Sequence, residues 1–397
     1  MASTEAILSG VLSVSLLVFF AKVLAGLFSR IRIPAVLGEL SAGIIFGPHA
    51  LGSILVISGQ RLIELSDVVL LFAQIGAILI LFSAGLGMTF TEFRGGGFKS
   101  FVVGSMGVVV PFFSGFYVTL LLGYDITAAL IVGAALTATS IAITIKVLEE
   151  LGKQNDIDAK LMINAAVIDD VLGLAVLGVV TSVIGEGQVP TLLDVASKIV
   201  VLIGLWLALL IAIVITVPQF VKLLPKWKVA GTDEAAATVI CFGSASLAAV
   251  MGLSPIVGAY AAGMGLAGSH ALSTVKNYVE KINLIFAPVF FAVIGASLDL
   301  FSLSPRVLIF LLLVSIVAVF SKVVGCGLPA GIMSRNFKSW WRVGVGMTSR
   351  GEVGLIIAGI GLTSSAIGQE VYAGLVAVII LTTIISPILL KSAYKEE

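Results

Sequence analysis

Two adjacent aspartates, Asp169 and Asp170, sit in the middle of the run LMINAAVIDDVLGLAVLGVV. Lys322 is placed in the same way in VAVFSKVVGCG, and Arg350 and Glu352 lie in GMTSRGEVG. Ionisable side chains inside such apolar runs cost ~2.5–3.5 kcal/mol each on membrane-insertion scales and mark a functional site by default. Neighbouring residues of a helix point about 100° apart, so the two carboxylates cannot share one face. One can pair with a cation, for which Lys322 is the natural candidate, while the other faces a water-filled cavity. A salt bridge joining two helices accounts for one aspartate. The second, at that depth, needs an ion or a proton.

Oxygen donors accompany the charges. The segment GAALTATSIAIT, residues 133–144, has the polar centre Thr137-Ala138-Thr139-Ser140, and GMTSRGEVG, residues 346–354, carries a second hydroxyl cluster. Unwound backbone there could ligate an ion, and irregular backbone at membrane depth survives only where it lines a cavity or is buried in protein. A single serine or threonine would be explained by bonding back to its own helix; two clusters at matching positions point to a site. Arg350 and Glu352 fit either helix-end neutralisation or direct ion handling. Lys22 and Glu39 fit snorkelling or a bond between helices, and Lys198 belongs near an interface. Cys241 and Cys326 read as packing residues and His49 and His270 as helix-end residues, so no zinc, haem or other cofactor is expected. No Ser-His, His-Glu or two-aspartate protease spacing is present, which argues against an enzyme.

The elements that hold these groups must be membrane helices. Of the 397 residues, 59% are apolar and 11% charged, with a mean hydropathy of +1.18. A soluble surface needs roughly a quarter charged residues, so a soluble enzyme and a disordered chain are both excluded. The net charge of +1 gives no reason to expect nucleic acid. The N-terminal apolar run is long enough to span and lacks the basic start of a cleavable signal. Cutting at charges, prolines and glycine-rich turns predicts thirteen spans, near 6–28, 34–48, 67–87, 98–122, 126–148, 160–184, 195–222, 234–252, 254–268, 281–299, 305–333, 340–361 and 371–391. The eighth and ninth merge in a stretch, 235–275, without any Asp, Glu, Lys or Arg; Gly252, Ser254 and Pro255 alone mark the break.

Basic residues orient the chain. With the N-terminus outside and the C-terminus inside, the inner loops and tail hold 17 lysines and arginines, against Arg61 and Arg306 outside. A weak repeat is also visible. IPAVLGELSAGIIFG from Ile33 aligns with LSPIVGAYAAGMGLA from Leu253, matching Gly38 with Gly258, Ala42 with Ala262 and Gly43 with Gly263. Helices 1–6 and 8–13 then form two inverted six-helix copies joined by helix 7. The symmetry places broken helices at 5 and 12.

These residues resemble the cation:proton antiporter-2 family, and within it the NapA-type bacterial sodium/proton antiporters. The motifs that carry the resemblance are IPAVLGELSAGIIFGP (33–48), TATSIAITIKVLEELGK (137–153), AAVIDDVLGL (165–174), FSKVVG around Lys322 and SRGEVGL (349–355), spread over nearly the whole chain. The resemblance implies an all-α fold of thirteen transmembrane helices in a homodimer. It implies a dimer domain of helices 1–3 and 8–10 (1–90 and 231–303) and an ion-transport core of helices 4–6 and 11–13 (91–190 and 304–397), linked by helix 7 (191–230). Helices 5 and 12 would cross where they unwind, and the core would move as an elevator. The resemblance makes Asp170 the sodium- and proton-binding carboxylate and Asp169 the partner of Lys322. Thr137, Thr139 and Ser140 supply oxygen, with Arg350 and Glu352 in support.

The implied activity is exchange of Na+ and Li+ for H+, electrogenic at two protons per sodium. It would serve pH homeostasis in a prokaryotic inner membrane. The alternatives are a potassium/proton antiporter of the same family and a sodium-coupled symporter on the same fold. A symporter needs a second, roomier cavity. Two departures stand out. AGLGMTFTEF has Gly87 where the family usually has an acidic residue, which predicts a local loop difference. No soluble domain is expected after Tyr394, whereas glutathione-gated potassium efflux relatives carry such a tail and typically a glutamine where Asp169 stands.

Overall fold

The computed structural model describes residues 4–31, 33–54, 56–57, 60–61, 63–186, 192–222, 231–297 and 305–395. Seventeen helices run in chain order: α1 Thr4–Arg30, α2 Ala35–Phe46, α3 Leu51–Ile54, α4 Asp67–Leu86, α5 Phe90–Leu121, α6 Ile126–Thr137, α7 Ile141–Glu150, α8 Ile157–Glu186, α9 Leu192–Val221, α10 Thr232–Val250, α11 Pro255–Leu266, α12 Leu272–Ala296, α13 Pro305–Lys322, α14 Leu328–Ser334, α15 Phe337–Gly346, α16 Glu352–Thr363 and α17 Gln369–Tyr394. The described strands are one two-residue antiparallel pair, Val56–Ile57 with Gln60–Arg61.

A helix rises 1.5 Å per residue, so ~20 apolar residues match the hydrocarbon core of a bilayer. Among the described residues, ten helical spans, some of them made of two consecutive helices such as α6 and α7, meet that length and composition, while α11 and the apolar part of α16 are shorter. Large apolar side chains stand exposed on the long helices: Phe19 and Val23 on α1, Phe113 and Tyr117 on α5, Ile211 and Ile215 on α9, Ile316 and Phe320 on α13. Water does not tolerate such faces on this scale, whereas lipid does. The chain is a multi-pass integral membrane protein.

The ambiguous stretch 235–275 is divided where Gly252 and Pro255 fall: α10 ends at Val250 and α11 starts at Pro255. Gly252 takes φ +76°, a left-handed conformation that suits glycine. Proline opens α11, where its missing N–H is no loss. Gly87 caps α4, its N–H bonding to the Ala84 carbonyl while the Met88 N–H bonds to that of Gly85, and only Gly87, Met88 and Thr89 separate α4 from α5.

Helices pack in two groups. In the first, α2 lies on α1 and α12, and α11 lies on α4 and α10. Glycines let these backbones touch: a Cβ at Gly43 would strike the Ala292 carbonyl oxygen, and one at Gly263 the Phe82 carbonyl oxygen. In the second group, α5 packs on α6, α8 and α13, and α17 on α13, α15 and α16. An apolar core of Ile131, Leu136, Phe310, Val314, Ile357 and Leu375 ties that group together.

The 126–150 segment is not one helix. It breaks after Thr137 and resumes at Ile141; likewise α15 stops at Gly346 and α16 begins at Glu352. These are the two stretches rich in hydroxyls and glycine.

Candidate ion-binding site

The two breaks meet. The Ser140 N–H donates to the Ser349 carbonyl at 2.9 Å, and the Ser349 hydroxyl donates to the Ser140 carbonyl at 2.7 Å. Thr144 Oγ1 donates to the Gly346 carbonyl at 2.6 Å and lies 3.3 Å from Ser349 Oγ. The Thr383 hydroxyl donates to the Arg350 carbonyl. Backbone groups released from a helix inside a membrane must find such partners. The hydroxyl-rich sequence provides them, which is why it can unwind there.

Arg350 is fully buried at the crossing. It donates to the Ala138 carbonyl at 2.8 Å and the Ala318 carbonyl at 3.1 Å. Ala138 is the C-terminal cap of α6, and a helix C-terminus carries partial negative charge. The guanidinium therefore lies against that helix end, with charge of the sign that stabilises it.

Lys322 closes α13 just before a π-helical turn, Val323–Gly327; such turns often occur at functional sites. Its Nζ bonds Asp169 Oδ1 at 2.9 Å, with both side chains wholly out of solvent. α5 passes this pair with a glycine: a Cβ at Gly107 would lie 2.6 Å from Cys326 Sγ and 3.5 Å from both Asp169 Oδ1 and Lys322 Nζ. Asp169 is 1% exposed while Asp170 is half-buried. The 100° between them thus turns the two carboxylates to different surroundings, Asp170 being the more exposed.

Thr139 stands beside the Asp169 carboxylate. Asp169 Oδ2, Thr139 Oγ1 and Ser140 Oγ are all buried without a completed hydrogen bond. Buried polar atoms normally have partners. A carboxylate oxygen and two hydroxyls left short of them at the crossing suit a small cation or a proton. The Thr137 hydroxyl bonds back to the Ala134 carbonyl at 2.7 Å and faces Gly173 of α8. Among the described residues no cluster of three or more His, Cys, Asp or Glu side chains could hold a resident metal.

Asp169, Lys322, Thr139, Ser140 and Arg350 are therefore brought together, with Asp170 next along α8. The Glu352 side chain lies outside the described residues; its backbone opens α16 at the crossing. The Lys198 side chain is likewise outside them. Glu39 is not at the site. It is buried on α2 and pairs with Lys22 of α1 at 3.3 Å, so the bond between helices is the reading that holds.

Residues 15–394 match the family described as "Sodium/hydrogen exchanger, transmembrane". The chain belongs to that family. Its members are membrane transporters rather than enzymes. Within the family the chain is similar to the Na(+)/H(+)-K(+) antiporter GerN of Bacillus cereus, at 33% identity over 96% of this chain and 95% of that one. It is also similar to the high-affinity Na(+)/H(+) antiporter NhaS3 of Synechocystis, at 31% identity over 98% and 91%. Its fold matches the sodium proton antiporter MjNhaP1 of Methanocaldococcus jannaschii with a TM-score of 0.71, covering 98% of this chain and 99% of the other at 18% identity. At that identity the match speaks for the fold alone.

Sequence reasoning gave no role to Thr144, Ser349 or Thr383, which pin the crossing. The first two lie inside motifs that carry the family resemblance, but no spacing rule couples Thr144 to a residue 205 positions away. The π-helical turn after Lys322 has no sequence signal beyond the glycines of VVGCG.

Proposed function

We propose that the chain exchanges Na+ for H+ across a membrane, using one site at Asp169 and Asp170 alternately for the two ions. The observation that carries this is the fully buried Asp169–Lys322 pair beside half-buried Asp170 and the unsatisfied oxygens of Thr139 and Ser140. An ionised carboxylate away from water is costly unless it is neutralised. A proton or a sodium ion on Asp170 supplies that neutralisation, and the loaded site can cross. The empty, charged site cannot, and this difference enforces exchange. Sodium takes carboxylate, hydroxyl and carbonyl oxygens, which Asp170, Thr139, Ser140 and the unwound backbone offer, with Thr137 and Glu352 close by in the chain.

The moving part is the group α5–α8 with α13–α17; the static part is α1–α4 with α10–α12, joined by α9 and paired with a second copy as a dimer. The chain then has thirteen spans in two inverted copies, with its N-terminus outside. Repeated backbone contacts support the repeat. Gly38 approaches Leu24 and Gly258 approaches Ser244, each pair of equivalents 220 residues apart. Gly43 of α2 meets Ala292 of α12, while Gly263 of α11 meets Phe82 of α4, so the copies exchange partners. The excess of basic residues in the inner loops supports the orientation.

Stoichiometry turns on Lys322. If sodium draws Asp169 away and Lys322 releases its proton, two protons leave for each sodium bound. One net charge then crosses, worth ~2.3 kcal/mol per 100 mV. The similarity to GerN, whose name includes K+, makes potassium the second cation to test.

The experiment is reconstitution in liposomes under an imposed pH gradient, with Na+, Li+ or K+ added while internal pH is recorded. Na+ and Li+ should collapse the gradient, and Asp170→Asn should abolish the response. Substantial sodium-driven proton movement in that variant would overturn the assignment.

A further inference from the structure

The inference rests on the transport reading above and concerns the path to its site. α8 threads three levels. At the first, Lys160 and Ile163 line a polar cavity of about 260 Å³, together with Met88, Glu149 of α7, and Lys276 and Glu280 of α12. At the second, one residue on, Asn164 is 3% exposed. The Tyr260 hydroxyl donates to Asn164 Oδ1 at 3.0 Å and lies 3.1 Å from Met88 Sδ. At the third, five and six residues further, are Asp169 and Asp170, about 8 Å deeper along the helix axis.

The lysine-bearing cavity is on the side that the proposed orientation puts inside. Tyr260 is fully buried, and its place is fixed by close backbone packing: a Cβ at Gly85 of α4 would strike the Tyr260 carbonyl oxygen. It belongs to α11, in the static group, whereas Asn164 belongs to α8, in the moving group. The bond therefore crosses the boundary between the groups at the edge of the cavity, with the aspartates further along α8. A thioether is a weak acceptor, so Asn164 holds the hydroxyl proton and Met88 supplies bulk.

We propose that Tyr260, Asn164 and Met88 form the inner gate of the transport path, and that the Tyr260–Asn164 hydrogen bond must break before a cation passes between the inner cavity and Asp170. Closing with one neutral hydrogen bond gives a gate that holds but opens readily. A charged pair buried there would hold the groups together far more strongly.

The test is a reporter cysteine, Thr139→Cys, in a Cys241→Ser, Cys326→Ser background. It is labelled by a membrane-impermeant methanethiosulfonate in inner-face-out vesicles. Tyr260→Phe keeps the ring and loses the bond. Asn164→Ala loses the bond from the other side and serves alone if Tyr260→Phe elutes aggregated on gel filtration. Each should label roughly three- to tenfold faster, the population shift that one hydrogen bond allows. Labelling from the outer face should not rise. Tyr278→Phe, whose hydroxyl bonds Thr238 within the static group, should match the parent.

Unchanged inner-face labelling in both gate variants overturns the gate, and so does an equal rise from both faces. The site reading is judged separately, by sodium-driven proton exchange in Asp170→Asn with both native cysteines present. Its loss beside unchanged labelling would refute the gate and leave the site standing.

Discussion

Replacing Lys322 with methionine removes a charge whose Nζ lies 2.9 Å from Asp169 Oδ1, in surroundings that admit no solvent to either side chain. At that separation and an effective dielectric of ~20, the gross attraction is about 6 kcal/mol. Removing each ion from water costs several kcal/mol, so the pair is near break-even against an apolar pair of similar volume. A lone Asp169 is a different matter. It keeps its desolvation cost without its closest cation, and losing one partner of a buried pair costs ~3–5 kcal/mol. Lys322→Met and Asp169→Asn should each lower stability by that amount, and the double variant should recover most of the loss. The assay is the melting temperature of purified protein in detergent at neutral pH, read by fluorescence-detected gel filtration for all four members of the cycle. If the two single losses simply add, the residues are not energetically coupled and the electrostatic reasoning about the site fails.

The packing and the crossing give further tests. Gly43→Ala and Gly263→Ala should each destabilise by ~1–3 kcal/mol or more, because the new methyl meets a carbonyl oxygen of a neighbouring helix; the yield of monodisperse protein checks this. Gly26→Ala on α1, where a Cβ meets nothing within 4 Å, should be neutral or slightly stabilising. Ser349→Ala strips a buried bond from the Ser140 carbonyl, which should cost ~1–3 kcal/mol and raise the sodium concentration for half-maximal exchange. Ser364→Ala, an exposed hydroxyl bonded back to Ile360, should change neither.

Much of the site can be read from residue types alone because a membrane makes charge conspicuous. Asp169, Asp170, Lys322 and Arg350 stand out in runs that are otherwise mostly apolar. The 100° between neighbouring helical residues already separates the two aspartates. It does not say which one Lys322 takes, since that depends on where α13 lies around α8. The breaks at 138–140 and 347–351 are legible as clusters of hydroxyls and glycines. Their contact is not, because hydrogen bonds such as Ser140 to Ser349 join residues more than 200 positions apart. Tyr260 reads as an ordinary aromatic in a small-residue helix, and only the approach of α11 to α8 gives its hydroxyl a partner.

The sequence by itself determined that this chain lives in a membrane, which stretches of it are apolar enough to form helices there, and which few side chains must be neutralised. Those are local consequences of hydropathy, backbone hydrogen bonding and the cost of charge in lipid. The tertiary structure alone decided that Asp169 pairs with Lys322, that Arg350 caps α6, and that the two unwound segments satisfy each other. Each of these depends on how helices distant in sequence are rotated and set in depth against one another. Close glycine packing fixes that arrangement within α2, α4, α11 and α12, and a hydropathy pattern does not encode it.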